Sequence, residues 1–389
     1  MSCHPDKALP RLNIGLISIH PAPYRDATLT AIYQRNNLNL QVWTMFQKDD
    51  GHAYWNFEKG EYTNIYLGKG FQFKGSYFHL NFFTSINKSL FDVLVVPGYS
   101  HLTSLATIIY CIIKHKPFIF TADTVSFPVA LKRKNPIRDI IGNFLTNLVV
   151  KHAAAFWVPG NASKQFWISQ GVDPVKIFEG CYCLDNNLII NQTLETRALR
   201  DDLRKSLGIS PDDFVFLMAG NTIPNRQQTK LVEAFKKVES INKKAFLVLL
   251  GEGSEQGNIE AAVKKLECRN IRIAAPVAYD QLAQWYAASD AYVHSGYEPY
   301  STALEFAAKA GLSMITTEAV GAAYDYIHQD ESGYLLKYGN KDELSNTMLN
   351  LSLKPDLALK MGQNALNIAL KRTPEWAAEQ FESAVNHAY

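Results

Sequence analysis

The sequence has few cysteines, no low-complexity tract and no apolar segment long enough to cross a bilayer. Its five cysteines among 389 residues form an odd, scattered set, which excludes a disulfide framework and favours a reducing cytosol. Cys181 and Cys183 lack the second pair that a zinc knuckle requires. The longest apolar run, Leu105 to Ile113, is about half of a roughly 20-residue bilayer span. The first twenty residues have no apolar core after a basic start, so we expect no secretory signal.

The chain also lacks a large excess of charge of either sign. The chain carries 39 Lys and Arg against 37 Asp and Glu, a net charge of +2, which excludes a nucleic-acid-binding composition. Residues 1–190 contain 18 basic and 12 acidic residues, or +6, and residues 191–389 contain 21 and 25, or −4. The basic half fits an anionic acceptor or a membrane surface, and chance scatter of surface charge explains it equally well.

Short apolar segments alternate with helical segments in two separate runs. The apolar segments are residues 12–19, 40–46, 91–96, 118–121 and 156–158, and then 214–219, 245–250, 271–274, 291–294 and 313–316. This alternation is typical of parallel sheets covered by helices on both faces. Residues 185–212 interrupt it, and we interpret them as an interdomain linker. The predicted fold class is α/β, with two Rossmann-like, doubly wound domains (residues 1–190 and 200–373) facing a cleft.

The most informative stretch is Ser289 to Gly311, SDAYVHSGYEPYSTALEFAAKAG. It predicts a strand, a loop that contains Glu298, and a helix that begins near Ser301 and Thr302. The free amides of a helix start bind phosphate, and the two hydroxyls add donors or cap the helix. Glu298 and Glu305 flank this anion site, where carboxylates fit if they bind sugar or ribose hydroxyls. The alternative is that Glu305 only favours the helix dipole and that Glu298 is solvated.

Two more loops follow predicted strands of the second half. In the loop Gly220 to Arg226, the glycine allows a tight turn, and the arginine either binds a diphosphate or faces solvent. The segment Gly251-Glu252-Gly253 follows the next strand, but Gly257 comes one residue too late for a dinucleotide-binding fingerprint. This second loop is either a nucleotide contact or a plain turn.

Ordered motifs over residues 213–389 resemble the donor-binding half of family 4 glycosyltransferases, which have the GT-B architecture. The family phrase has the type EPFG…LEAMACG, and this chain has EPYSTALEFAAKAG. The family's Gly-Arg pair and Lys-Gly ahead of EAF align with Gly220-Asn221 and Arg226-Gln227 ahead of the EAF at 233–235. The phrases LGEG at 250–253 and GYLL at 333–336 are also similar. The helix with Trp376 is similar too, and it implies that residues 374–389 return to pack on the first domain.

The resemblance implies roles for the matching residues. Glu305 would bind the ribose hydroxyls, and Glu298 the hydroxyls of the transferred sugar. The amides from Tyr300 to Thr302 would bind the diphosphate, and Arg226 would neutralise it as it leaves. The residues expected to bind the donor are Gly220, Asn221, Arg226, Glu298, Tyr300, Ser301, Thr302 and Glu305.

Three departures from the family pattern bear on these roles. The loop between Glu298 and Glu305 is one residue shorter, which makes the position of Glu298 less certain. Asn221 replaces the usual arginine and removes one positive charge from the phosphate site. Asp123 lies where many relatives have a histidine that contacts the sugar and the reacting centre. Asp123 would accept a sugar hydroxyl or lie near a developing oxocarbenium ion, or it only caps the following turn. The expected catalytic residues are Arg226, Glu298 and Asp123.

The resemblance further implies sugar transfer from a UDP- or GDP-sugar with retention at the anomeric carbon, without metal or other cofactor. The expected activity is that of a hexosyltransferase in polysaccharide or glycoconjugate biosynthesis. No matching protein nucleophile is present, which favours a same-face displacement in which the leaving phosphate helps to deprotonate the acceptor. The alternatives are a GT-B sugar-nucleotide epimerase and a catalytically silent glycan-binding partner subunit.

The acceptor should lie on the first domain. Residues 71–83 are rich in aromatic side chains, and Lys132 to Lys134 with Arg138 precede an apolar helical segment. Together they predict a glycan or lipid-linked acceptor at the inner face of a membrane, with the protein in the cytoplasm. The alternative is a sugar-stacking loop beside an ordinary core helix. Tyr24 and Arg25 follow the first strand and either face the cleft or pack locally.

Overall fold

The computed structural model describes residues 11–47, 60–73, 75–86, 90–128, 131 and 135–389, apart from the side chain of Arg138. The strands are β1 (Leu12–Ser18), β2 (Leu38–Thr44), β3 (Thr63–Tyr66), β4 (Phe71–Phe73), β5 (Ser76–Phe78), β6 (Val93–Pro97), β7 (Phe118–Thr121), β8 (Ala155–Val158), β9 (Ile177–Glu179), β10 (Phe214–Ala219), β11 (Ala245–Leu250), β12 (Ile271–Ala274), β13 (Ala291–His294), β14 (Ser313–Thr317) and β15 (Gly333–Leu336). The helices are α1 (Pro23–Tyr33), α2 (Leu80–Ile86), α3 (Leu102–Ile113), α4 (Pro136–His152), α5 (Asn161–Ser169), α6 (Asn186–Thr196), α7 (Arg200–Ser206), α8 (Gln228–Ile241), α9 (Gln256–Lys265), α10 (Leu282–Ala287), α11 (Thr302–Lys309), α12 (Ala323–Tyr326), α13 (Lys341–Ser352), α14 (Pro355–Ala369) and α15 (Pro374–Ala388).

Seven parallel strands form the sheet of the first domain, in the order β3-β2-β1-β6-β7-β8-β9. The central strands are apolar on both sides, and all four residues of β8 are buried. Helices α1 and α15 cover one face, where Ile32 and Phe381 join the same core. Helices α2 to α5 cover the other face, around Ile108 and Trp167. The sheet is therefore doubly wound, as the alternating pattern predicts.

The second domain has six parallel strands in the order β12-β11-β10-β13-β14-β15. One core lies on each face of this sheet, around Tyr286 on one side and Phe235 on the other. The strand order reverses between β10 and β13, so the loops that follow these two strands diverge. Ligands of open α/β sheets bind in the crevice that such a reversal opens. The predicted fold class, two Rossmann-like domains around a cleft, is confirmed.

The chain crosses between the domains twice, at residues 180–185 and 370–373, which we call the first and second crossing. Helix α15 follows the second crossing and packs on the first domain, where the rings of Phe381 and Trp157 lie 4.7 Å apart. The interpretation of residues 185–212 as an irregular linker is wrong. They form α6 and α7, because the Asp185 side chain caps α6 and Ile189 is buried in the second domain's core.

Two further expectations concern the basic residues before α4 and helices that could cross a membrane. Lys132, Arg133, Lys134 and the side chain of Arg138 lie outside the described residues, so the basic start predicted for α4 has no structural account. Across the described ranges, no helix combines the length and the apolarity needed to cross a bilayer.

Candidate active site

A cavity of about 260 Å³ lies between the domains, at the carboxyl ends of β10 and β13. It is lined by the loops that follow these strands, by the first domain and by the first crossing. It brings together all of the predicted site residues except Asn221 and Glu305. Its polar lining residues include Tyr24, Asp123, Tyr182, Gly220, Arg226, Glu298, Tyr300, Ser301 and Thr302. The lining also includes the apolar and aromatic side chains of Pro276, Val277, Tyr279, Leu282, Tyr286 and Phe306.

Arg226 and Glu298 form an ion pair in this cavity. The Nη2 atom of Arg226 lies 2.8 Å from Oε2 of Glu298, and the two side chains are only 16% and 12% exposed. The Nε and Nη1 atoms of Arg226 are buried without a hydrogen-bond partner among the described residues. Unpaired buried donors cost free energy, so these two nitrogens are suited to bind an anion.

His294 approaches Glu298 from the end of β13. Its ring is fully buried, and its Nε2 atom lies 3.4 Å from Oε1 of Glu298. The Nδ1 atom accepts a hydrogen bond from the amide of Gly296 at 3.2 Å. Nδ1 therefore carries no proton in the neutral ring, and the proton on Nε2 faces the carboxylate. His294 was not among the predicted site residues, although its place at a strand's carboxyl end was a usable signal.

The charge of Glu298 is set by its neighbours. Burial works to raise the pKa of this carboxyl, but the charge of Arg226, assisted by His294 and Ser301, lowers it from 4.5 to about 2. Glu298 is therefore ionised at neutral pH although its side chain is nearly buried.

The loops after β10 and β13 meet backbone to backbone. The amide of Tyr297 donates to the carbonyl of Asn225 at 2.8 Å, and the Asn225 side chain donates to the carbonyl of Tyr297 at 3.1 Å. A Cβ atom on Gly296 would overlap the carbonyl oxygen of Asn225. Gly220 has a φ of +128°, and a Cβ there would lie 2.8 Å from Nη1 of Arg226. Glycines thus allow the close approach that brings Arg226 to Glu298.

The start of α11 supplies the second element of the anion site. The hydroxyl of Ser301 accepts from the amide of Leu304 at 3.3 Å, and the carbonyl of Ser301 accepts from the amide of Glu305 at 3.2 Å. The amides of Thr302 and Ala303 come too early in the helix to find an intrahelical acceptor, and both residues line the cavity. Uncapped amides and an unpaired guanidinium therefore meet at the same end of the cavity.

Glu305 lies behind the cavity wall instead of in its lining. It is fully buried, and its Oε1 atom accepts from the amide of Leu184 at 2.9 Å and lies 2.8 Å from Nζ of Lys309. Its Oε2 atom accepts from the hydroxyl of Tyr300 at 3.3 Å. Both carboxylate oxygens of Glu305 thus have partners within the protein, and the ribose role stays a prediction. Asn221 is likewise outside the lining, and its carbonyl accepts from Gln228.

The first domain contributes an aromatic wall and one carboxyl. The rings of Tyr24 and Tyr182 lie 5.3 Å apart, and those of Tyr182 and Tyr300 lie 5.8 Å apart, which links both domains. Arg25 lies beneath this wall and not in the lining, 5.6 Å from the Tyr182 ring. Asp123 faces the cavity, and burial raises its pKa against the opposing effects of its own amide and of Arg25. The crossing residue Tyr182 was not predicted, because no motif marks it.

Comparisons with known proteins agree with this geometry. Residues 200–367 match the family model described as glycosyl transferases group 1. The putative glycosyltransferase EpsD of Bacillus subtilis (strain 168) is 24% identical over 196 residues, which are 46% of this chain and 48% of that protein. The N-acetyl-alpha-D-glucosaminyl L-malate synthase of Bacillus anthracis is 27% identical over 164 residues, 42% of each chain. The chain thus spans about half the length of the curated relatives that it matches.

Solved structures match over nearly the whole chain. Anabaena HepE, solved in complex with UDP and glucose, has a TM-score of 0.72 and 16% identity, covering 97% of this chain and 100% of its own. WaaG, a glycosyltransferase involved in lipopolysaccharide biosynthesis, has a TM-score of 0.66 and 16% identity, covering 94% and 98%. The chain has the GT-B fold. Residues 200–367 resemble the glycosyl transferases group 1 family, and the assignment to family 4 stays a prediction.

Proposed function

We propose that this chain is a retaining glycosyltransferase, of the hexosyltransferase type, that moves a sugar from a UDP- or GDP-sugar to a hydroxyl of a glycan or lipid-linked acceptor. The observation that carries the proposal is the position of Arg226. Its two unpartnered nitrogens lie at the end of the cavity where the amides of α11 are also free. A diphosphate has enough anionic oxygens to satisfy both sets of donors at once. The HepE neighbour was solved with UDP, which agrees with such a ligand.

The donor would lie in the cavity with its diphosphate at Arg226 and the start of α11. The apolar and aromatic part of the lining, which includes Val277 and Tyr279, suits a planar base. As the diphosphate binds, Arg226 exchanges its carboxylate partner for phosphate oxygens. The freed oxygens of Glu298, still held by His294, would then accept hydrogen bonds from the sugar. Glu305 would accept from the ribose through Oε2.

The reaction chemistry would be electrostatic. The C–O bond between the sugar and the diphosphate breaks as negative charge grows on the leaving phosphate, which Arg226 and the helix amides stabilise without a metal. The acceptor hydroxyl attacks from the same face, and its proton passes to the departing phosphate oxygen. Asp123 reaches the sugar from the first domain, where it would accept a sugar hydroxyl or face the developing positive charge. The protein's main work is positioning and charge stabilisation.

Isothermal titration against UDP, GDP and their sugars tests the proposal. We expect the wild-type chain to bind one nucleotide and to hydrolyse its sugar slowly. Arg226→Met should lose nucleotide binding. Its turnover should fall about 10²–10³-fold, which is typical of the loss of one preorganised hydrogen-bond donor. Lys264→Met, which removes the same charge from an exposed position on α9, should change neither. Conversion of one nucleotide sugar into another would indicate an epimerase, and no nucleotide binding at all would indicate a glycan-binding subunit.

The acceptor surface is the part of the proposal that concerns membranes. At the cleft end of α4, Ile137, Ile140 and Phe144 are 66–70% exposed. The exposed Phe71 and Phe73 of the β4–β5 hairpin lie near the start of α3, on the same face of the sheet and at the same end. An exposed apolar patch beside a cleft fits the lipid portion of an acceptor at a membrane surface.

Vesicle sedimentation tests this surface. We expect the wild-type chain to bind anionic phospholipid vesicles at low salt and to be released by high salt. Ile140→Asp with Phe144→Asp should reduce binding about tenfold or more, because buried apolar area is lost at the contact. Ile113→Asp is the matched control, since Ile113 is 67% exposed at the opposite end of the same face. Equal loss in both variants, or no binding by the wild type, would contradict a membrane contact.

A further inference from the structure

Both interdomain crossings meet at one point beside α11. On the first crossing, the amide of Leu184 donates to Oε1 of Glu305 at 2.9 Å. The carbonyl of Leu184 accepts from Nζ of Lys309 at 2.6 Å. On the second crossing, the carbonyl of Arg372 accepts from the same Nζ at 3.3 Å. One helix of the donor site therefore holds both segments that join the domains, through two side chains one turn apart.

Glu305 and Lys309 are both completely buried, and their charged atoms lie 2.8 Å apart. Burying two charges costs free energy that the mutual attraction and the added hydrogen bonds must offset. A buried ion pair is therefore a costly way to stabilise a fold. Here its hydrogen bonds fix the orientation of a backbone segment that lines the cavity, because Leu184 is one of the lining residues. This makes a positioning role the best explanation of the pair.

We propose that Lys309 is a positioning residue for nucleotide binding: together with Glu305 it fastens the donor-site helix to both interdomain crossings and so fixes the distance between the two walls of the cavity. This inference rests on the proposed nucleotide-sugar site. The wall on one side is Tyr182 and Leu184 of the first crossing, and the other is the start of α11. Without the Lys309 ammonium, the carbonyls of Leu184 and Arg372 keep only the weak thiol donor of Cys183, at 3.8 Å and 3.2 Å. Cys183 lies on the first crossing itself, so the two crossings then lose their shared bond to the helix and are free to shift relative to it.

Arg204 offers a matched control. Its side chain is 1% exposed and forms an ion pair with Asp290 at 2.8 Å. It donates to the carbonyls of Ala288, Pro211 and Asp213 at 2.7–2.9 Å. Arg204 is thus also a buried cation that holds backbone carbonyls in the second domain, but neither it nor these partners line the cavity. A purely structural role would make Lys309 behave like Arg204.

The experiment compares Lys309→Met and Arg204→Met by thermal unfolding and by titration with UDP and GDP well below the melting temperature. Both variants should melt lower than the wild type. Only Lys309→Met should bind the nucleotide about tenfold more weakly, because displaced binding groups lose contact geometry. Lys309→Arg, which keeps the charge and the donors, should recover most of that affinity.

If Lys309→Met does not fold, the neutral double variant Glu305→Gln with Lys309→Met serves in its place, since no unpaired buried charge remains. We expect it to fold and to bind the nucleotide more weakly than Glu305→Gln alone, the reference that accounts for any ribose contact of Glu305, because the ammonium that joins both crossings to the helix is gone. Wild-type affinity in a folded Lys309→Met or double variant would overturn the positioning role alone. A wild-type chain that binds neither UDP nor GDP would overturn the proposed function and this inference with it.

Discussion

Arg226 and Glu298 each depend on the charge of the other inside the cavity. Burial alone would favour a neutral Glu298, yet the guanidinium 2.8 Å away keeps its pKa at about 2. The same pairing holds Arg226 in place until a diphosphate takes over. Because the pair is both a stabilising contact and the proposed binding site, its removal has consequences for folding that can be measured without any substrate.

The dependence of stability on pH tests this pair. The pKa of Glu298 is about 2 in the folded chain against 4.5 ordinarily, so its contribution to stability is present above pH 4.5 and is lost as the pH falls through 2. In Arg226→Met, burial is opposed only by His294 and Ser301, so we expect the pKa of Glu298 to rise above 4.5, and its contribution to stability is then lost as the pH rises. In urea unfolding, the free energy of unfolding of Arg226→Met should be about 3 kcal/mol lower than that of the wild type at pH 7, and this difference should be smaller at pH 4.

The control for this experiment is Arg226→Met combined with Glu298→Gln. This double variant has no Glu298 carboxyl to titrate, so its stability difference from the wild type should widen between pH 4 and pH 7 only by what the wild-type Glu298 contributes, which is less than the widening in the single variant. If the wild type and Arg226→Met differ in free energy of unfolding by the same amount at pH 4 and pH 7, the ion pair does not set the charge state of Glu298.

Individual site residues were predictable, but their partners were less so. Arg226 and Glu298 each follow a recognisable strand, and the topology explains why both reach one cavity. Their pairing depends on loop conformations 72 residues apart, which no local pattern specifies. The pair Glu305 and Lys309 is different, because an i, i+4 spacing on a helix predicts contact directly. The contact between Glu305 and Lys309 is therefore predictable from their spacing in the sequence.

At the scale of elements, the site depends on two loops that touch directly, joined by backbone and short side-chain hydrogen bonds. The hydroxyl of Ser295 donates to the carbonyls of Arg226 and Gln227, each at 3.2 Å, and Tyr297 bonds Asn225. These contacts place the loop after β13 directly against the loop after β10. The donor site is therefore a property of the pair of loops, and a change in the backbone spacing between them should disable it.

Gly296→Ala tests this spacing. The new Cβ would overlap the Asn225 carbonyl and approach the Arg226 backbone at 2.6 Å, so the loops must separate. We expect nucleotide affinity to fall about tenfold or more and unfolding to require about 1–3 kcal/mol less. Gly257→Ala is the control, because its Cβ meets open space on α9 and should stabilise the helix by about 0.5–1 kcal/mol with unchanged affinity. Unchanged affinity in Gly296→Ala would contradict the dependence on loop spacing.

Strands were easier to predict than connections. β7 begins and ends at the residues that the pattern indicates, since an apolar segment between turn residues has few alternatives. Residues 185–212 were misread because their polar composition resembles a linker. In the structure Ile189 supplies the buried contact and Arg204 satisfies backbone carbonyls, so a few side chains fix two helices whose surfaces are otherwise polar.

At the scale of the whole molecule, the domains also meet through a carboxylate away from the cavity. Asp325 of α12 accepts from the amide of Asn161, the first residue of α5 in the other domain, at 2.9 Å. Arg372 of the second crossing lies 3.4 Å from the same Oδ1 atom of Asp325 and also bonds Glu179 and the carbonyl of Pro159. The second crossing is thereby joined to both domains. Burial raises the pKa of Asp325 from 3.8 to about 6 against the opposing charge of Arg372 and the Asn161 amide.

This interdomain contact should therefore respond to mild acid. Because the pKa of Asp325 is higher in the folded chain than in the unfolded one, its contribution to stability is largest at low pH and is lost as the pH rises through 6. Between pH 7 and pH 5 this single group should add about 1 kcal/mol to the free energy of unfolding.

Asp325→Asn keeps an oxygen that can accept from the Asn161 amide but does not titrate, so the increment should be missing in that variant. Urea unfolding at pH 7 and pH 5 gives the change in free energy of unfolding for each protein. Subtracting the two changes removes the contributions that the other titrating groups make in both proteins. An identical pH response in the two proteins would mean that the carboxyl is no more protonated at the domain interface than in the unfolded chain.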